Sequence, residues 1–372
     1  MNNLIINSPY GYYRAGNQVY LNKAEATYNA SKNQVPLTWH FYEDIFNTLD
    51  WTKRPSGTLQ ELYKIRAQQI RDEYDHVIVN FSGGMDSWNV LYSFLSNDIH
   101  VDEIVTSWPR AERKLRPLSN SIEQWNMGSE YEFAVRPLLK EIEKKYPKIN
   151  IVLYDFSDKI EQEIQEKNFF GQHNYQNAPG FHKFAGRTEK ELQAIKENKK
   201  VAVVIGAEKI TLTVKNNNFY AFFSDHANNA DAEGRTTEFF YWSDKLPLLP
   251  VLQSHCLKDV ITQEYLADPT FVPFNGNQYR EIYRKACYPE YNPNTFQTLK
   301  KFGTMMWDSD LWIKEYNPRY HESWKWIVDQ YFGGIDKSYQ FHNKDNKLTG
   351  LTLLEGPHYL LEENTQVPNF KL

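Results

Sequence analysis

The sequence contains little cysteine, because only Cys256 and Cys287 occur among its 372 residues. Two isolated thiols exclude a disulfide scaffold and a four-cysteine zinc site, and they fit a reducing compartment. Neither lies in a CxxC pair, which disfavours sulfur-transfer chemistry. A chance pair of buried cysteines is therefore the favoured interpretation, and a part for either in the chemistry stays open.

Long apolar runs are also absent. No run approaches the roughly 20 residues of a membrane span, and the N-terminus, MNNLIINSPYGYY, lacks the basic start and apolar core of a signal peptide. We expect a cytoplasmic protein without a membrane partner. The net charge of −5 argues against a broad nucleic-acid surface, but it leaves a local nucleic-acid contact open.

Two common nucleotide-binding patterns are missing as well, namely the Walker loop and GxGxxG. What is present is a globular composition, 41% hydrophobic and 24% charged, with an aromatic content of 15%. The length is sufficient for two or three domains.

The most informative stretch covers residues 76–95, HVIVNFSGGMDSWNVLYSFL. It predicts a buried strand, a glycine turn and an amphipathic helix. The start of a helix leaves backbone N–H groups unpaired and positively polarised, and glycines let an anion approach the backbone closely. Asp86 beside a bound anion requires a cation such as Mg²⁺ between them.

The segment SGGMDS resembles the SGGxDS signature of the PP-loop ATP pyrophosphatases, a superfamily that includes asparagine synthetase. The resemblance implies an α/β fold of the nucleotide alpha-hydrolase (HUP-like) type, with a doubly wound, mainly parallel sheet. It implies ATP and Mg²⁺ as cofactors, and Asp86 as the Mg²⁺ ligand and a catalytic residue. It also implies that the motif and its neighbours bind ATP: Phe81, Ser82, Gly83, Gly84, Met85, Asp86 and Ser87.

Further strands are predicted over residues 101–107, 149–155 and 201–206, and with strand 76–81 they form βαβ units. Ligands bind at the carboxyl ends of such strands. Ser107 and Trp108 lie at the carboxyl end of the second strand, where the resemblance places adenine; Trp108 is either a stacking partner for the base or a loop aromatic.

The fourth strand ends in Gly206, which we count among the ATP-binding residues. Lys209 could neutralise the departing pyrophosphate, and Glu208 could hold Mg²⁺ or orient a nucleophile; we take both as catalytic candidates. The alternative is an exposed Glu-Lys pair at a strand end.

Three regions are expected. Residues 1–75 form an N-terminal extension whose last helix, 58–75, is capped by Thr58 with Glu61 and leaves Arg66 solvated. Residues 76–250 form the ATP-binding domain, which includes a hairpin at 210–224. Residues 251–372 are expected to be mostly helical.

The resemblance implies an AMP-forming ligase that adenylates a carbonyl or carboxyl oxygen for attack by ammonia or an amine. Residue 2 is Asn2, where glutamine-dependent asparagine synthetases have a cysteine, so ammonia would come from solution or a partner. The loop at 168–187 could cover a small-molecule or nucleotide substrate. Two alternatives stay open: a PP-loop enzyme that modifies nucleotides or nucleic-acid bases, and a catalytically idle nucleotide-binding protein.

The aromatic-rich arrangement also resembles stand-alone PP-loop proteins encoded by large tailed phages. That resemblance implies the host cytoplasm as the location. It names neither the acceptor nor the oligomeric state.

Overall fold

A computed structural model describes residues 11–21, 23–108, 131–155, 187–206, 209–225, 234–271, 276–288, 290, 337–342 and 348–371. Two predicted features lie outside these residues: Glu208, and the loop at 168–187 except for its last residue. No helix in the described part of the chain is long and apolar enough to cross a membrane.

The N-terminal part forms a small antiparallel sheet followed by helices. Its elements are β1 (Tyr12–Ala15), β2 (Gln18–Tyr20), α1 (Lys23–Asn33), β3 (Leu37–His40), α2 (Glu43–Phe46) and α3 (Leu59–Glu73). The strand order is β2-β1-β3. Helix α3 begins at the predicted cap, because Thr58 accepts a hydrogen bond from the Glu61 N–H and the Glu61 side chain accepts one from the Thr58 N–H.

The centre of the molecule is a five-stranded parallel sheet with helices between its strands. Its elements, with an inserted hairpin (β8 and β9), are β4 (His76–Asn80), α4 (Met85–Leu95), β5 (Glu103–Trp108), α5 (Arg136–Lys145), β6 (Asn150–Asp155), α6 (Glu189–Lys196), β7 (Val201–Ile205), β8 (Thr211–Lys215), β9 (Asn218–Phe222) and β10 (Arg235–Phe239). The spatial order β10-β7-β4-β5-β6 confirms the predicted parallel α/β sheet. The direction of winding reverses between β4 and β7, which makes this boundary the topological switch point.

Helices cover both faces of this sheet. On one face Arg66 of α3 reaches Glu238 of β10 at 2.5 Å. On the other face Thr188, at the start of α6, donates a hydrogen bond to Glu103 of β5 at 2.7 Å. The sheet is therefore buried on both sides, which explains the uninterrupted apolar runs in β4 and β7.

The expectation that Arg66 is solvated is wrong. Its side chain is fully buried, and it donates hydrogen bonds to the carbonyl oxygens of Phe239 and Phe240 in addition to its ion pair with Glu238. Helical periodicity predicts only the face of its own helix on which an arginine lies. It carries no information about a buried carboxylate on a strand far along the chain.

The strand β10 has no counterpart among the sequence predictions. It pairs in parallel with β7 along its whole length. Only Phe239 among its five residues is apolar, unlike the pattern typical of a buried strand, and Arg66 compensates the charge of Glu238. The strand could not be predicted from its own residues, because Arg66, which compensates the charge of Glu238, lies on another element.

The C-terminal part contains helices first and strands later. Its elements are α7 (Leu248–Ala267), α8 (Gly276–Cys287), β11 (Gln340–His342), β12 (Leu348–Leu351), β13 (Tyr359–Glu362) and β14 (Phe370–Lys371). Strands β13 and β14 flank the predicted hairpin in the order β13-β9-β8-β14. Where a mostly helical region was expected, the described residues from 340 onward therefore contribute strands.

This late strand pairing has a physical reason. An isolated hairpin is marginally stable and exposes two edges, so short strands that cover both edges stabilise it. A stretch as short as Phe370–Lys371 has too few residues to show strand periodicity by itself.

A cluster of aromatic rings holds the N-terminal, hairpin and C-terminal segments together. Phe223, which follows β9, lies with its ring centroid 4.6 Å from Phe46 and 5.0 Å from Trp242. Trp51 stacks on Tyr359 at 4.4 Å. This shared core accounts for part of the high aromatic content of the sequence.

Candidate functional site

The SGGMDS loop lies at the carboxyl end of β4, at the switch point of the sheet. Phe81 is buried, and its N–H donates to the Val105 carbonyl at 2.9 Å, which fixes the entry to the loop. Gly83 has a φ of +75°, a left-handed conformation that favours glycine. Gly84 is the N-cap of α4 and provides no side chain to cap it. The start of this helix is thus open to an anionic group.

The two serines of the motif hold the turn closed. Ser87 is buried; its Oγ donates to the Gly84 carbonyl and accepts from the Ser82 N–H, each at 3.2 Å. The Ser82 hydroxyl lies 3.2 Å from the same Oγ. Ser82 is exposed at the mouth of the loop, where its hydroxyl could contact a ligand.

The structure brings together two of the predicted catalytic residues, Asp86 and Lys209. The Lys209 Nζ lies 2.9 Å from each carboxylate oxygen of Asp86. Lys209 follows β7 and Asp86 is in the first turn of α4, so the pair spans the switch point. Both side chains are largely withdrawn from solvent, with 11% and 30% of their surfaces exposed.

Gly206 explains how the two elements approach so closely. A Cβ atom at this position would lie 2.9 Å from both the carbonyl carbon and oxygen of Asp86, and 3.0 Å from the Ser87 nitrogen. These are backbone atoms, so a change of side-chain rotamer cannot relieve the clash. Glycine is therefore required where the end of β7 meets the start of α4.

Two tyrosines that were not predicted from the sequence contact this pair. The Tyr241 hydroxyl donates to the Asp86 carbonyl at 2.8 Å and accepts from the Asn89 amide at 3.1 Å. The ring of Tyr283, on α8, lies 4.9 Å from the Lys209 Nζ. Burial raises the pKa of the Tyr241 phenol well above its ordinary value, so it acts as a neutral hydrogen-bonding group.

No local sequence signal could have found these tyrosines. One follows the unrecognised strand β10, and the other lies on a helix that reads only as basic and aromatic. Each acquires its role because a distant part of the chain folds against it.

Three further predicted site residues are Ser107, Trp108 and Glu208. Ser107 and Trp108 are the last two residues of β5, at the predicted edge of the sheet. Glu208 lies outside the described residues. The contacts of these three side chains with a nucleotide stay a prediction.

The loop and its carboxylate fit a magnesium polyphosphate. Asp86 Oδ1 is buried, and its partner among the described residues is the Lys209 ammonium at 2.9 Å. The described residues contain no cluster of three metal-binding side chains. Mg²⁺ takes one or two carboxylates from a protein and completes its shell with phosphate and water, so a carboxylate beside an open helix start is of the kind it uses.

Burial governs the protonation of the two cysteines, although the Arg54 guanidinium donates to the Cys256 Sγ at 3.6 Å. Burial raises the pKa of the Cys287 thiol well above its ordinary value, and it raises that of Cys256 as well. The thiolate is the reactive form of cysteine, so both groups are held in the inert form. Cys287 is fully buried, as expected, whereas Cys256 is only partly so.

Comparisons of the chain with family models, with curated proteins and with solved structures give no match. The loop signature and the geometry around it are therefore the observations on which a function can be argued.

Proposed function

We propose that this protein is an ATP pyrophosphatase of the PP-loop type, with a nucleotide alpha-hydrolase fold, that adenylates a carbonyl or carboxyl oxygen of its substrate. The observation that carries the proposal is the Lys209–Asp86 pair, 2.9 Å apart across the switch point and beside an uncapped helix start. A generic glycine turn requires neither a partly buried acid nor a lysine that follows the neighbouring strand.

The proposed roles follow from charge. The backbone N–H groups at Gly83, Gly84 and the start of α4 receive the β- and γ-phosphates. Asp86 would hold Mg²⁺, which when bound neutralises part of the polyphosphate charge. Lys209 stabilises the pyrophosphate as negative charge builds on it.

In the first step the substrate oxygen attacks the α-phosphorus, and the bond from that phosphorus to the bridging oxygen of pyrophosphate breaks. A carboxylate oxygen needs no general base for this attack. In the second step ammonia or an amine adds to the activated carbonyl carbon, AMP leaves, and the amine loses a proton. Burial raises the pKa of both thiols, which favours amide or amine ligation over sulfur transfer through these cysteines.

Product analysis with ATP labelled at the α- and γ-phosphates tests the reaction type. We expect AMP and pyrophosphate, released only in the presence of Mg²⁺ and an acceptor found by screening metabolites, nucleosides and amino acids. Formation of ADP and phosphate would contradict the proposal. Tight ATP binding without turnover across the panel would instead favour an idle nucleotide-binding protein.

A further inference from the structure

Helix α8, at the C-terminal side of the sheet, contacts the candidate site through Tyr283. This side chain is fully buried. The face of its ring lies 4.9 Å from the Lys209 Nζ, within the distance of about 6 Å at which a cation is attracted to an aromatic ring. Its hydroxyl donates a hydrogen bond of 2.6 Å to the carbonyl of Ile210.

These two contacts act on the same short piece of chain. Ile210 directly follows Lys209, so the hydroxyl fixes the backbone beside the lysine while the ring attracts its ammonium group. A lysine side chain has four rotatable bonds and loses considerable entropy when it is held in one geometry. A rigid ring under the ammonium lowers the number of positions it can occupy.

Two described groups contact the Lys209 ammonium from different elements. Its ammonium lies between the Asp86 carboxylate and the Tyr283 ring, with 11% of the side chain exposed. Water screens a cation–π contact weakly when the site is this enclosed, so the ring counts for more than it would on a surface.

We infer that Tyr283 is a positioning residue that holds Lys209 against Asp86 and so makes α8 a part of the site. Its effect on turnover rests on the proposed function, whereas its effect on Lys209 does not. The ring acts through its negative face and the hydroxyl through Ile210, and these two contributions can be separated by substitution.

Chemical labelling of the full-length protein, without nucleotide, tests the positioning directly. Acetylation of each lysine by acetic anhydride is followed by mass spectrometry, with the half-exposed Lys215 as an internal reference. We expect Lys209 in Tyr283→Leu to react about fivefold faster than in the wild type, as loss of a cation–π contact implies. Tyr283→Phe keeps the ring and should leave the rate within about twofold.

Phe46→Leu is the matched control, because it removes another fully buried ring that lies in the aromatic cluster and not beside Lys209. It should not change the labelling of Lys209. An unchanged rate in Tyr283→Leu, or an equal increase in Phe46→Leu, would overturn the inference.

A graded series covers the case in which Tyr283→Leu does not fold. Phenylalanine, 4-fluorophenylalanine and 3,4,5-trifluorophenylalanine at position 283 have nearly the same shape but a progressively less negative face. We expect the labelling rate of Lys209 to rise along this series while the thermal midpoint stays constant. A flat series would show that the ring only fills space.

Steady-state kinetics separates this inference from the proposed function. In Tyr283→Leu we expect kcat to fall at least about tenfold while KM for the acceptor stays near the wild-type value, since Lys209 acts on the departing pyrophosphate. If kcat is unchanged, the catalytic part of the inference fails. If the wild type releases no pyrophosphate, the proposed function fails, and the labelling still decides the role of Tyr283.

Discussion

At the scale of single residues, Gly206 is tightly constrained by the backbone of another element. Its α-carbon faces the backbone of Asp86 and Ser87, where even one methyl group would come within 3.0 Å of three atoms. Atoms of a helix backbone move only if the first turn of α4 moves with them. The geometry of the loop therefore depends on the absence of a side chain on another strand.

Gly206→Ala should displace the first turn of α4 and weaken binding of magnesium ATP by at least about tenfold, with a loss of stability of about 1–3 kcal/mol. Gly356→Ala is the matched control, because its new Cβ would meet no atom closer than 3.4 Å. Isothermal titration with a non-hydrolysable ATP analogue and denaturant unfolding measure both effects. Equal affinity in the two variants would contradict this account of Gly206.

Asp86→Asn keeps the shape of the side chain and removes its charge. We expect Mg²⁺-dependent turnover to fall by at least about a hundredfold, because the ligand for the metal and the partner of Lys209 are lost together. The fold should persist, since a first-turn carboxylate contributes only about 0.5 kcal/mol to a helix.

Glu189→Gln is the control for Asp86→Asn, because it removes another carboxylate from the first turn of a helix, far from the loop. Circular dichroism and assays of pyrophosphate release compare the two variants. Wild-type activity in Asp86→Asn would refute the assignment of Asp86.

At the scale of elements, α3 and α6 begin with the same residue in different surroundings. Thr58 caps α3 at an exposed position and bonds only within its own turn. Thr188 caps α6 by accepting from the Glu191 N–H at 2.9 Å, and it also donates to the buried Glu103 of β5. One cap stabilises a helix, whereas the other also joins that helix to the sheet.

Thr188→Ala should therefore destabilise the protein more than Thr58→Ala. The exposed cap is worth about 1 kcal/mol. At Thr188 the loss of a hydrogen bond to a buried carboxylate adds about 1.5–3 kcal/mol. Urea unfolding of both variants measures the difference, and Thr188→Ser should recover most of it. Equal losses in the two alanine variants would show that the contact with Glu103 contributes nothing.

At the scale of the whole molecule, residues far apart in the chain meet at buried charges. Asp225 follows the hairpin; one of its oxygens pairs with Lys23 of α1 at 2.5 Å, and the other accepts the Leu354 N–H at 2.8 Å. Both charged side chains are almost fully buried. Removing one partner of such a pair leaves an uncompensated charge, which makes the N-terminal, hairpin and C-terminal segments depend on one another.

Glu355 interacts with His358 and Lys371 in the C-terminal segment, and the stability that these contacts provide depends on pH. The hydrogen bond from His358 is the main cause that lowers its pKa from 4.5 to about 2, and Lys371 adds to the effect. A carboxylate whose pKa is depressed by folding stabilises the protein above its ordinary pKa. That contribution is lost as the pH falls from about 4.5 to about 2.

We therefore expect Glu355→Gln to lower Tm at neutral pH and the difference from the wild type to shrink below pH 4.5. His358→Gln should raise the pKa of Glu355, which NMR titration of the carboxyl carbon detects. The effect on Tm is modest, because Glu355 is partly solvated. A constant difference in Tm between pH 7 and pH 3 would contradict this role.

Local patterns were sufficient for much of the fold. The strands β4 and β7, the cap of α3 and the hairpin were all predicted, because each depends on the spacing of apolar residues or on neighbouring residues in the chain. Asn216 and Asn217 at the tip of the hairpin, for example, have φ values of 52° and 62°, a conformation asparagine tolerates well. By contrast, β10 and the C-terminal strands escaped prediction, because their partners are distant in the sequence.

The residues of the candidate site likewise fall into those that the sequence predicts and those that only the structure identifies. The sequence by itself determined the loop, since a strand, two glycines and a helix start are local features, and it marked Asp86, Gly206 and Lys209 as candidates. Only the tertiary structure decided that Lys209 faces Asp86 and that Tyr241 and Tyr283 lie beneath them. Parallel strands end at a common edge of the sheet, and residues that follow β7 and β10 meet a residue of α8 at this edge. No local sequence pattern predicts which of these distant residues come into contact.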